Sequence, residues 1–281
     1  MTMLVSLKYC GILIWFVNSR VKEVWPLLLT IDIGNTNIKF GAYDGDILYF
    51  VSRMATDTSR KEDQYAIAIR DAFHIYNVST DIIDGAIISS VVPKMTEYIN
   101  LAVKKLFGVD AMILDYELIK DDFEIAIRHP EESGADLIAD CVAAKEFYET
   151  PCIIIDMGTA TKVLVNDKDG RMIGGCIIPG VGVSLDALVN KAALLSAVRL
   201  ETPKNVIGNS TITCIQSGVI YGAACMIDGL CERFEKELGY PCKTVATGGL
   251  AGGIIKNCKR DITIDPNLVL EGLRKIYEMK K

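Results

Sequence analysis

Several patterns that would assign this chain to a familiar functional class are missing from its sequence. Its 30 lysines and arginines are outnumbered by 36 aspartates and glutamates, which gives a net charge of −6, and they form no basic block. This balance argues against a nucleic-acid partner. The nine cysteines contain no C-x-x-C pair and show no metal-type spacing with the two histidines, His74 and His129. Their odd number argues against a complete disulfide framework.

Five of the cysteines lie in or beside apolar or small-residue stretches, namely Cys152, Cys176, Cys214, Cys225 and Cys242. We therefore predict that these cysteines are buried, reduced thiols. Reduced thiols are typical of compartments in which glutathione and thioredoxin keep cysteines from pairing, so the sequence favours a cytoplasmic location.

The usual sequence signatures of nucleotide binding are also missing. No Walker A pattern G-x-x-x-x-G-K-[ST] occurs, and no well-placed G-x-G-x-x-G is present. P-loop and Rossmann folds are therefore disfavoured. A nucleotide site in this chain would have to be built from other loops.

The N-terminal 26 residues do not match a membrane or export signal. Lys8 precedes an apolar run at 11–17 that superficially resembles the start of a signal peptide. The run is too short to span a bilayer, and Asn18-Ser19-Arg20 is not a small-residue cleavage site. We interpret 1–26 as an extension, either a misassigned translation start or a loosely attached appendage, and we expect no membrane partner.

The order of predicted elements indicates a duplicated α/β protein. A length of 281 residues leaves room for two modest domains, and the half-hydrophobic composition suits strands that are buried on both faces. Strands are predicted at 27–33, 38–43, 47–52, 85–92, 111–115, 153–155, 163–166, 172–178 and 243–246. Helices are predicted at 62–76, 96–107, 134–149, 183–195, 215–238 and 267–279. Strands followed by helices thus occur twice, and we place the halves at 27–141 and 142–281.

The most informative feature is a turn that occurs once in each half. The first copy is LLLTIDIGNTNIKFG at 27–41, and the second, altered copy is CIIIDMGTAT at 152–161. A buried strand that delivers one carboxylate into a glycine turn can hold a metal-bound phosphate, because backbone N–H groups approach the phosphate oxygens closely. Taken alone, Asp-x-Gly-Asn is equally typical of a hairpin. Its repetition favours two similar halves that face a shared nucleotide.

In the functional interpretation, Asp32 holds Mg²⁺, usually through water, because magnesium prefers oxygen ligands and keeps much of its hydration shell. Gly34, Asn35 and Thr36 then bind the β- and γ-phosphates. Phosphate clamping from two sides suits phosphoryl transfer, where positioning and charge neutralisation supply most of the catalysis. A third element, ATGGLAGG at 246–253, is predicted to contain a flexible turn that lets the backbone approach adenine or its ribose.

These three elements, in this order, resemble the superfamily of sugar kinases, actin and heat-shock chaperone ATPases, and within it the type III pantothenate kinases. The resemblance runs from residue 27 to the C-terminus. It rests on the motifs DIGNTN (32–37), SSVVP (89–93), GAD (134–136), DMGTAT (156–161), GGCIIPGVGVS (174–184), IQSGVIYG (215–222) and TGG (247–249). It implies a two-domain actin-like ATPase fold, with ribonuclease H-like halves and a nucleotide cleft between the domains.

The resemblance also implies roles for individual positions in binding ATP with Mg²⁺. The first phosphate loop consists of Asp32, Ile33, Gly34, Asn35, Thr36, Asn37, Ile38 and Lys39. Thr159 in the second turn contacts ATP. Asp156 lies at a monovalent-cation site, which K⁺ or ammonium occupies.

For the acceptor, the resemblance implies that Asp136 is the catalytic general base and takes a proton from the pantothenate hydroxyl. The acceptor site is lined by Gly134, Ala135, Asp136, Leu137 and Thr211. The resemblance further implies a homodimer whose substrate pocket lies near the subunit interface.

Two positions depart from the family pattern. Leu137 stands where the family has an arginine that is expected to pair with the pantothenate carboxylate, and leucine has neither charge nor hydrogen-bond donors. Lys162 replaces a threonine at the end of the second motif. It is predicted either to supply a substitute positive charge or to face solvent from a strand. The nucleotide machinery is complete, whereas the acceptor is in question.

Three features have simpler structural interpretations. From the sequence alone, Asp136 is a helix-start carboxylate that complements the helix dipole. Asp140, one turn later, is predicted to face solvent. An apolar face formed by Val183, Ala187 and Leu188 is predicted to pack in a core or a dimer interface.

The predicted function is ATP-dependent phosphorylation of pantothenate to 4'-phosphopantothenate, the first step of coenzyme A biosynthesis. One alternative is a kinase of the same fold that acts on another hydroxylated acceptor, which Leu137 favours. The other is a catalytically silent nucleotide-binding regulator that works with a DNA-binding partner. The presence of Asp32, Asp136 and Asp156 favours an enzyme, because a silent regulator has no chemical need for all three.

Overall fold

The computed structural model describes residues 7–9, 12–17, 20–24, 26–191 and 198–281. Near the N-terminus, β1 (Leu7–Tyr9), β2 (Ile12–Val17) and β3 (Arg20–Val24) form an antiparallel sheet in the order β1-β2-β3. The sequence predicts no strand in this extension. Much of the short apolar run that resembles a signal peptide lies in β2.

The chain divides into two compact units, of which the first contains Met1–Ile119, Gly134–Asp136 and Leu273–Lys281. Its five-stranded sheet has the order β6-β5-β4-β7-β8. The strands are β4 (Leu27–Ile33), β5 (Asn37–Asp44), β6 (Ile47–Ala55), β7 (Ile83–Ser90) and β8 (Met112–Ile113). β4, β5 and β6 pair antiparallel, whereas β7 and β8 continue the sheet in parallel with β4. The helices of this part are α1 (Glu62–Ile75), α2 (Pro93–Phe107) and α3 (Tyr116–Ile119).

Helices cover the first sheet because its central strands are apolar on both faces. β4 and β5 contribute Leu29, Ile31 and Phe40 to a core that also contains Tyr65 of α1 and Ile99 of α2. The predicted start of α2 at residue 96 is three residues late. The helix begins at Pro93, where the missing N–H costs no helical hydrogen bond, and it ends before Gly108, which has φ +73°.

The second unit contains Lys120–Ser133 and Leu137–Gly272. Its strands are β9 (Cys152–Met157), β10 (Ala160–Asn166), β11 (Met172–Pro179), β12 (Lys243–Thr247) and β13 (Thr263–Ile264). They form a sheet in the order β11-β10-β9-β12-β13. The helices are α4 (Ala135–Phe147), α5 (Val181–Lys191), α6 (Thr211–Leu238) and α7 (Ala251–Ile254), followed by α8 (Leu268–Lys280), whose last turns belong to the first unit.

The two sheets have the same topology, which confirms the predicted duplication. In each five-stranded sheet, the strands lie side by side in the order third, second, first, fourth and fifth when they are numbered along the chain from the first strand of that sheet. The first three are antiparallel, and the last two are parallel to the first. The predicted domain bounds, 27–141 and 142–281, describe the repeat in the sequence, and as domain bounds they remain a proposal. The compact units assign 120–133 and 137–141 to the second unit and 273–281 to the first.

Several local expectations are wrong. The glycine-rich stretch at 248–253 is not a flexible turn throughout, because α7 begins at Ala251 within it. Asp140 does not face solvent: it is 2% exposed and lies within 138–144, a stretch of α4 in which every residue is buried. α3 and β13 are too short to leave a periodic signal and were not predicted.

The described cysteines are free thiols, as predicted, but they are not all buried. Cys152 is buried, and burial raises the pKa of its thiol to about 12. Cys176 and Cys242 are half-buried, whereas Cys214 and Cys225 are exposed on α6. Within the described residues, α6 is also the one helix long and apolar enough to cross a bilayer, by length and composition alone. Core helices of globular proteins pass the same test.

Candidate active site

The first turn is held by the ends of three neighbouring strands. Asp32, near the end of β4, lies in register with Lys39 on β5 and Ser89 on β7. Ser89 is fully buried, and its Oγ donates a hydrogen bond to Asp32 Oδ1 at 3.0 Å. Lys39 is only 7% exposed. The predicted metal-holding carboxylate is therefore fixed in orientation, while it remains half-buried and accessible at the turn.

The backbone of this turn is braced from a segment that the sequence interpretation missed. Gly34 N–H donates to the Asn37 carbonyl at 3.0 Å, and Thr56 Oγ1 donates to the Gly34 carbonyl at 2.7 Å. The Thr56 N–H donates to the Thr36 carbonyl at 2.9 Å. Asn35, Thr36 and Asn37 have exposed side chains. A rigid turn with exposed amide and hydroxyl groups is suited to binding an anion.

The second turn repeats this arrangement on the second sheet. Asp156, near the end of β9, lies in register with Lys162 on β10 and Thr247 on β12. Lys162 Nζ lies 2.8 Å from Asp156 Oδ2, and the two side chains are 18% and 15% exposed. The alternative in which Lys162 faces solvent is therefore wrong. In both units, the turn aspartate stands between a lysine and a hydroxyl residue, Ser89 in one and Thr247 in the other.

Three predicted motifs of the second half meet around the second turn. Gly158 N–H donates to the Ala160 carbonyl, and Gly180 N–H donates to the Thr159 carbonyl, both at 3.1 Å. A Cβ at Gly180 would overlap the Thr159 carbonyl oxygen. Gly248 has φ +96° and packs against the Met157 backbone, which no other residue type could do without strain. Thr159 itself is exposed.

Asp136 lies in the first turn of α4, immediately after Gly134 and Ala135. An acidic residue at this position complements the partial positive charge at the N-terminus of the helix. Asp136 and Leu137 are both half-buried. The structure thus places the predicted base at an accessible helix start, as both the functional and the structural interpretations require.

A cavity of about 1170 Å³ lies in the second unit and includes predicted acceptor residue Thr211. α6 lines it with one face, on which Cys214, Gly218, Gly222 and Met226 recur every four residues. α5 contributes Leu188. The sequence interpretation missed this wall, although the four-residue spacing of small and apolar residues was a usable signal. Val183 and Leu188 are 45% and 46% exposed and Ala187 is also exposed, so the core interpretation of this apolar face is wrong.

The motif IQSGVIYG anchors the chain that leads to Thr211. Gln216 Nε2 donates to the Arg199 carbonyl at 2.8 Å, and Tyr221 OH donates to the Pro203 carbonyl at 3.4 Å. Ser217 Oγ donates to the Val206 carbonyl. Ser210 then caps α6 by accepting from the Thr213 N–H. These contacts hold the segment that precedes α6 against the first half of that helix.

The side chains at the two turns fit one of the ions that the resemblance implies, Mg²⁺, and do not fit the other, a monovalent cation. Within the described residues, no group of three or more histidine, cysteine or acidic side chains could hold a metal by itself. Mg²⁺ needs less, since it commonly binds one carboxylate, waters and substrate phosphates, and Asp32 beside an exposed turn supplies that carboxylate. At Asp156, the Lys162 ammonium already contacts the carboxylate. This charge pair does not fit a site for K⁺ or ammonium.

Comparison with known proteins identifies the family. A family model described as type III pantothenate kinase matches residues 28–233. The chain is 43% identical over 255 residues to a type III pantothenate kinase from Roseiflexus castenholzii (strain DSM 13941 / HLO8), covering 91% of this chain and 100% of that protein.

Two solved structures support the predicted actin-like α/β fold. A Campylobacter jejuni protein assigned to the Baf family of transcriptional activators has a TM-score of 0.57 at 18% identity, over 90% of this chain and 98% of that one. The inorganic polyphosphate/ATP-glucomannokinase from Arthrobacter sp. strain KM has a TM-score of 0.50 at 13% identity, over 91% and 100%. At these identities the two structures bear on the fold alone. The family model and the relative from Roseiflexus castenholzii lead to one conclusion: the chain belongs to the type III pantothenate kinase family.

Proposed function

We propose that this protein transfers the γ-phosphoryl group of ATP to the hydroxyl of pantothenate and forms 4'-phosphopantothenate, the first step of coenzyme A biosynthesis. The observation that carries the proposal is the braced turn at Asp32, where Ser89 orients the carboxylate beside exposed phosphate-binding groups. The relative from Roseiflexus castenholzii carries the name of this activity.

The first turn binds the triphosphate. Asn35, Thr36 and Asn37 present exposed side chains to phosphate oxygens, and Lys39 adds positive charge behind the turn. Asp32 would hold Mg²⁺ through water, and the ion supplies charge neutralisation on the phosphates. The resemblance assigns the ATP contact in the second turn to Thr159, whose side chain is exposed. Ile33 and Ile38 act through the backbone, since their side chains are buried in the core.

The acceptor is activated by Asp136. Its carboxylate accepts the proton of the pantothenate hydroxyl as the oxygen forms a bond to the γ-phosphorus and the bond from that phosphorus to the leaving oxygen of ADP breaks. The resemblance assigns the lining of the acceptor site to Gly134, Ala135, Leu137 and Thr211. The homodimer and the cytoplasmic location remain predictions from the resemblance, whereas the ion pair at Asp156 does not fit the predicted site for K⁺ or ammonium.

A second candidate is a kinase of the same fold with another hydroxylated acceptor, and Leu137 favours it. Loss of a buried contact between a charged side chain and a substrate carboxylate typically costs about 2–5 kcal/mol. The catalytically silent regulator has less support, because the turn aspartates of both units and Asp136 are all present.

The test offers the purified protein MgATP with a panel of hydroxylated acceptors that includes pantothenate. We expect mass spectrometry to detect phosphorylated pantothenate with the wild-type protein. The Asp136→Asn variant should turn over more slowly by about 10²–10⁴-fold. The control Glu131→Gln, which changes an exposed carboxylate, should leave the activity unchanged. A Leu137→Arg variant should lower the KM for pantothenate by about tenfold or more, which matches the restored charge contact. Measurable ATP binding with no pantothenate phosphorylation at any concentration would reject the proposal and favour another acceptor.

A further inference from the structure

The second turn carries an ammonium group at the carboxylate where the resemblance places a free monovalent cation. We infer that Lys162 Nζ takes the place of that cation, so that ATP binding and turnover by this protein need neither K⁺ nor ammonium. The activity readout of this inference rests on the proposed function, whereas its stability readout does not.

The contact between Lys162 and Asp156 is built into the sheet. The two residues stand directly opposite each other on antiparallel strands β10 and β9, so the hairpin fixes their spacing. Lys162 Nζ donates a hydrogen bond to Asp156 Oδ2 at 2.8 Å, and both side chains are less than one-fifth exposed. An opposite-charge pair at directly facing positions is a stabilising cross-strand contact. The ammonium is therefore a fixed part of the turn.

A second cation at this carboxylate would have to overcome two obstacles. It would share the Asp156 oxygens with the ammonium, and it would be repelled by a like charge in a partly desolvated place. The lysine stem also fills space beside the turn, since Lys162 is 18% exposed. A threonine at 162, the residue common in the family, would leave the carboxylate without this internal partner.

The duplicated fold shows that a lysine is compatible with this register position. In the first unit, Lys39 stands opposite Asp32 on the equivalent strands β5 and β4, and it is buried. The second unit has at Lys162 the residue type that the first unit has at Lys39. The sheet accommodates a lysine stem behind the turn in both copies without a change in strand order.

The same pairing argues against another role for Lys162, which is to replace the arginine missing at Leu137. A lysine bonded to a carboxylate forms a pair with no net charge, so it offers little attraction to a substrate carboxylate. The expected change on removing Lys162 is therefore a new need for a cation and not a selective loss of affinity for the acceptor.

The test compares the wild-type protein with Lys162→Thr and with a control, Lys168→Thr, which removes an exposed lysine from the turn that follows β10. Potassium replaces choline stepwise at a constant ionic strength of about 0.15 M, which keeps general screening unchanged. Two quantities are measured: kcat/KM for MgATP with pantothenate, and the melting temperature of each protein without substrates.

We expect the wild type and Lys168→Thr to be insensitive to K⁺ in both measurements. Lys162→Thr should be slower by about tenfold in choline and should recover, with a saturating dependence, as K⁺ is added. Its melting temperature should rise over the same range of K⁺, and Lys162→Arg should stay insensitive to K⁺.

Saturating activation or stabilisation of the wild type by K⁺ would overturn the inference, as would a Lys162→Thr variant that folds but ignores K⁺. If Lys162→Thr raises only the KM for pantothenate, Lys162 belongs to the acceptor site, and this result would also overturn the inference. If no variant phosphorylates pantothenate, the proposed function fails, while the melting temperatures still decide the role of Lys162.

Discussion

Replacement of Ser89 by alanine tests whether the buried hydroxyl orients the metal-holding carboxylate. Ser89 is fully buried, and its Oγ donates to Asp32 Oδ1 at 3.0 Å. Hydrogen bonds to charged groups contribute about 1.5–3 kcal/mol. Asp32 is half-buried, so water can partly replace the lost donor and the lower value applies. A loss of about 1.4 kcal/mol is a factor of ten in affinity, so we expect the Kd for MgATP to rise by about tenfold.

The neighbouring serine gives a matched control. Ser90 Oγ accepts a hydrogen bond from the Val92 N–H at 3.1 Å, just before α2, and this contact lies outside the turn. Ser90→Ala should lower the free energy of unfolding by about 1 kcal/mol, the typical net contribution of one hydrogen bond, and leave MgATP affinity unchanged.

Isothermal titration calorimetry with MgATP, and with ATP in the presence of a chelator, separates the two effects. Ser89→Ala should weaken binding chiefly when Mg²⁺ is present, because its partner Asp32 is the proposed metal-holding group. Equal weakening with and without Mg²⁺, or equal effects of Ser89→Ala and Ser90→Ala, would refute the positioning argument.

Two further predictions concern stability. Gly248→Ala should lower the free energy of unfolding by about 2 kcal/mol or more, because φ is +96° and the new Cβ would meet the Met157 backbone. The measurement is urea unfolding, and the control is Gly252→Ala, where the new Cβ has open space around it. An equal loss of stability in the control would contradict the argument. Hydrogen bonds from Arg260 lower the pKa of Glu235, so this carboxylate stabilises the fold above its ordinary pKa and the stabilisation is lost as the pH falls through the lowered value. Glu235→Gln should therefore be less stable than the wild type at pH 7, with a gap in urea midpoints that narrows below about pH 4, whereas a constant gap would exclude this linkage.

Most of the secondary structure follows from local pattern. β4 spans Leu27–Ile33 as predicted, because a short apolar run that ends at Asp-x-Gly is typical of a buried strand followed by a turn. The long helices α1, α2 and α6 also follow from their periodicity, with errors of a few residues at the ends. The errors arise from capping: Pro93 opens α2, and Ser210 opens α6 earlier than the apolar pattern indicates.

The errors at the site have a different origin. A carboxylate near a helix start is usually exposed, which predicts Asp140 in solvent, yet α4 is buried on all sides from 138 to 144. Thr56 carries no motif, and its bond to Gly34 depends on how β6 returns beside β5. The exposure of Cys214 depends on which face of α6 the core of the second unit covers. Each of these outcomes is set by packing between elements that are distant in sequence.

By itself, the sequence determined the duplicated turns, the chemistry each can hold and the family to which the chain belongs, because motifs and hydrophobic periods are local. It also determined that Lys162 follows the second turn, but not whether its ammonium points into the turn or into solvent. Only the tertiary structure decided that Lys162 contacts Asp156 and that Ser89 contacts Asp32. The second contact joins residues 57 positions apart. The physical reason is that strand register and the parallel return of β7 beside β4 select these neighbours, and neither is specified by the residues of one strand alone.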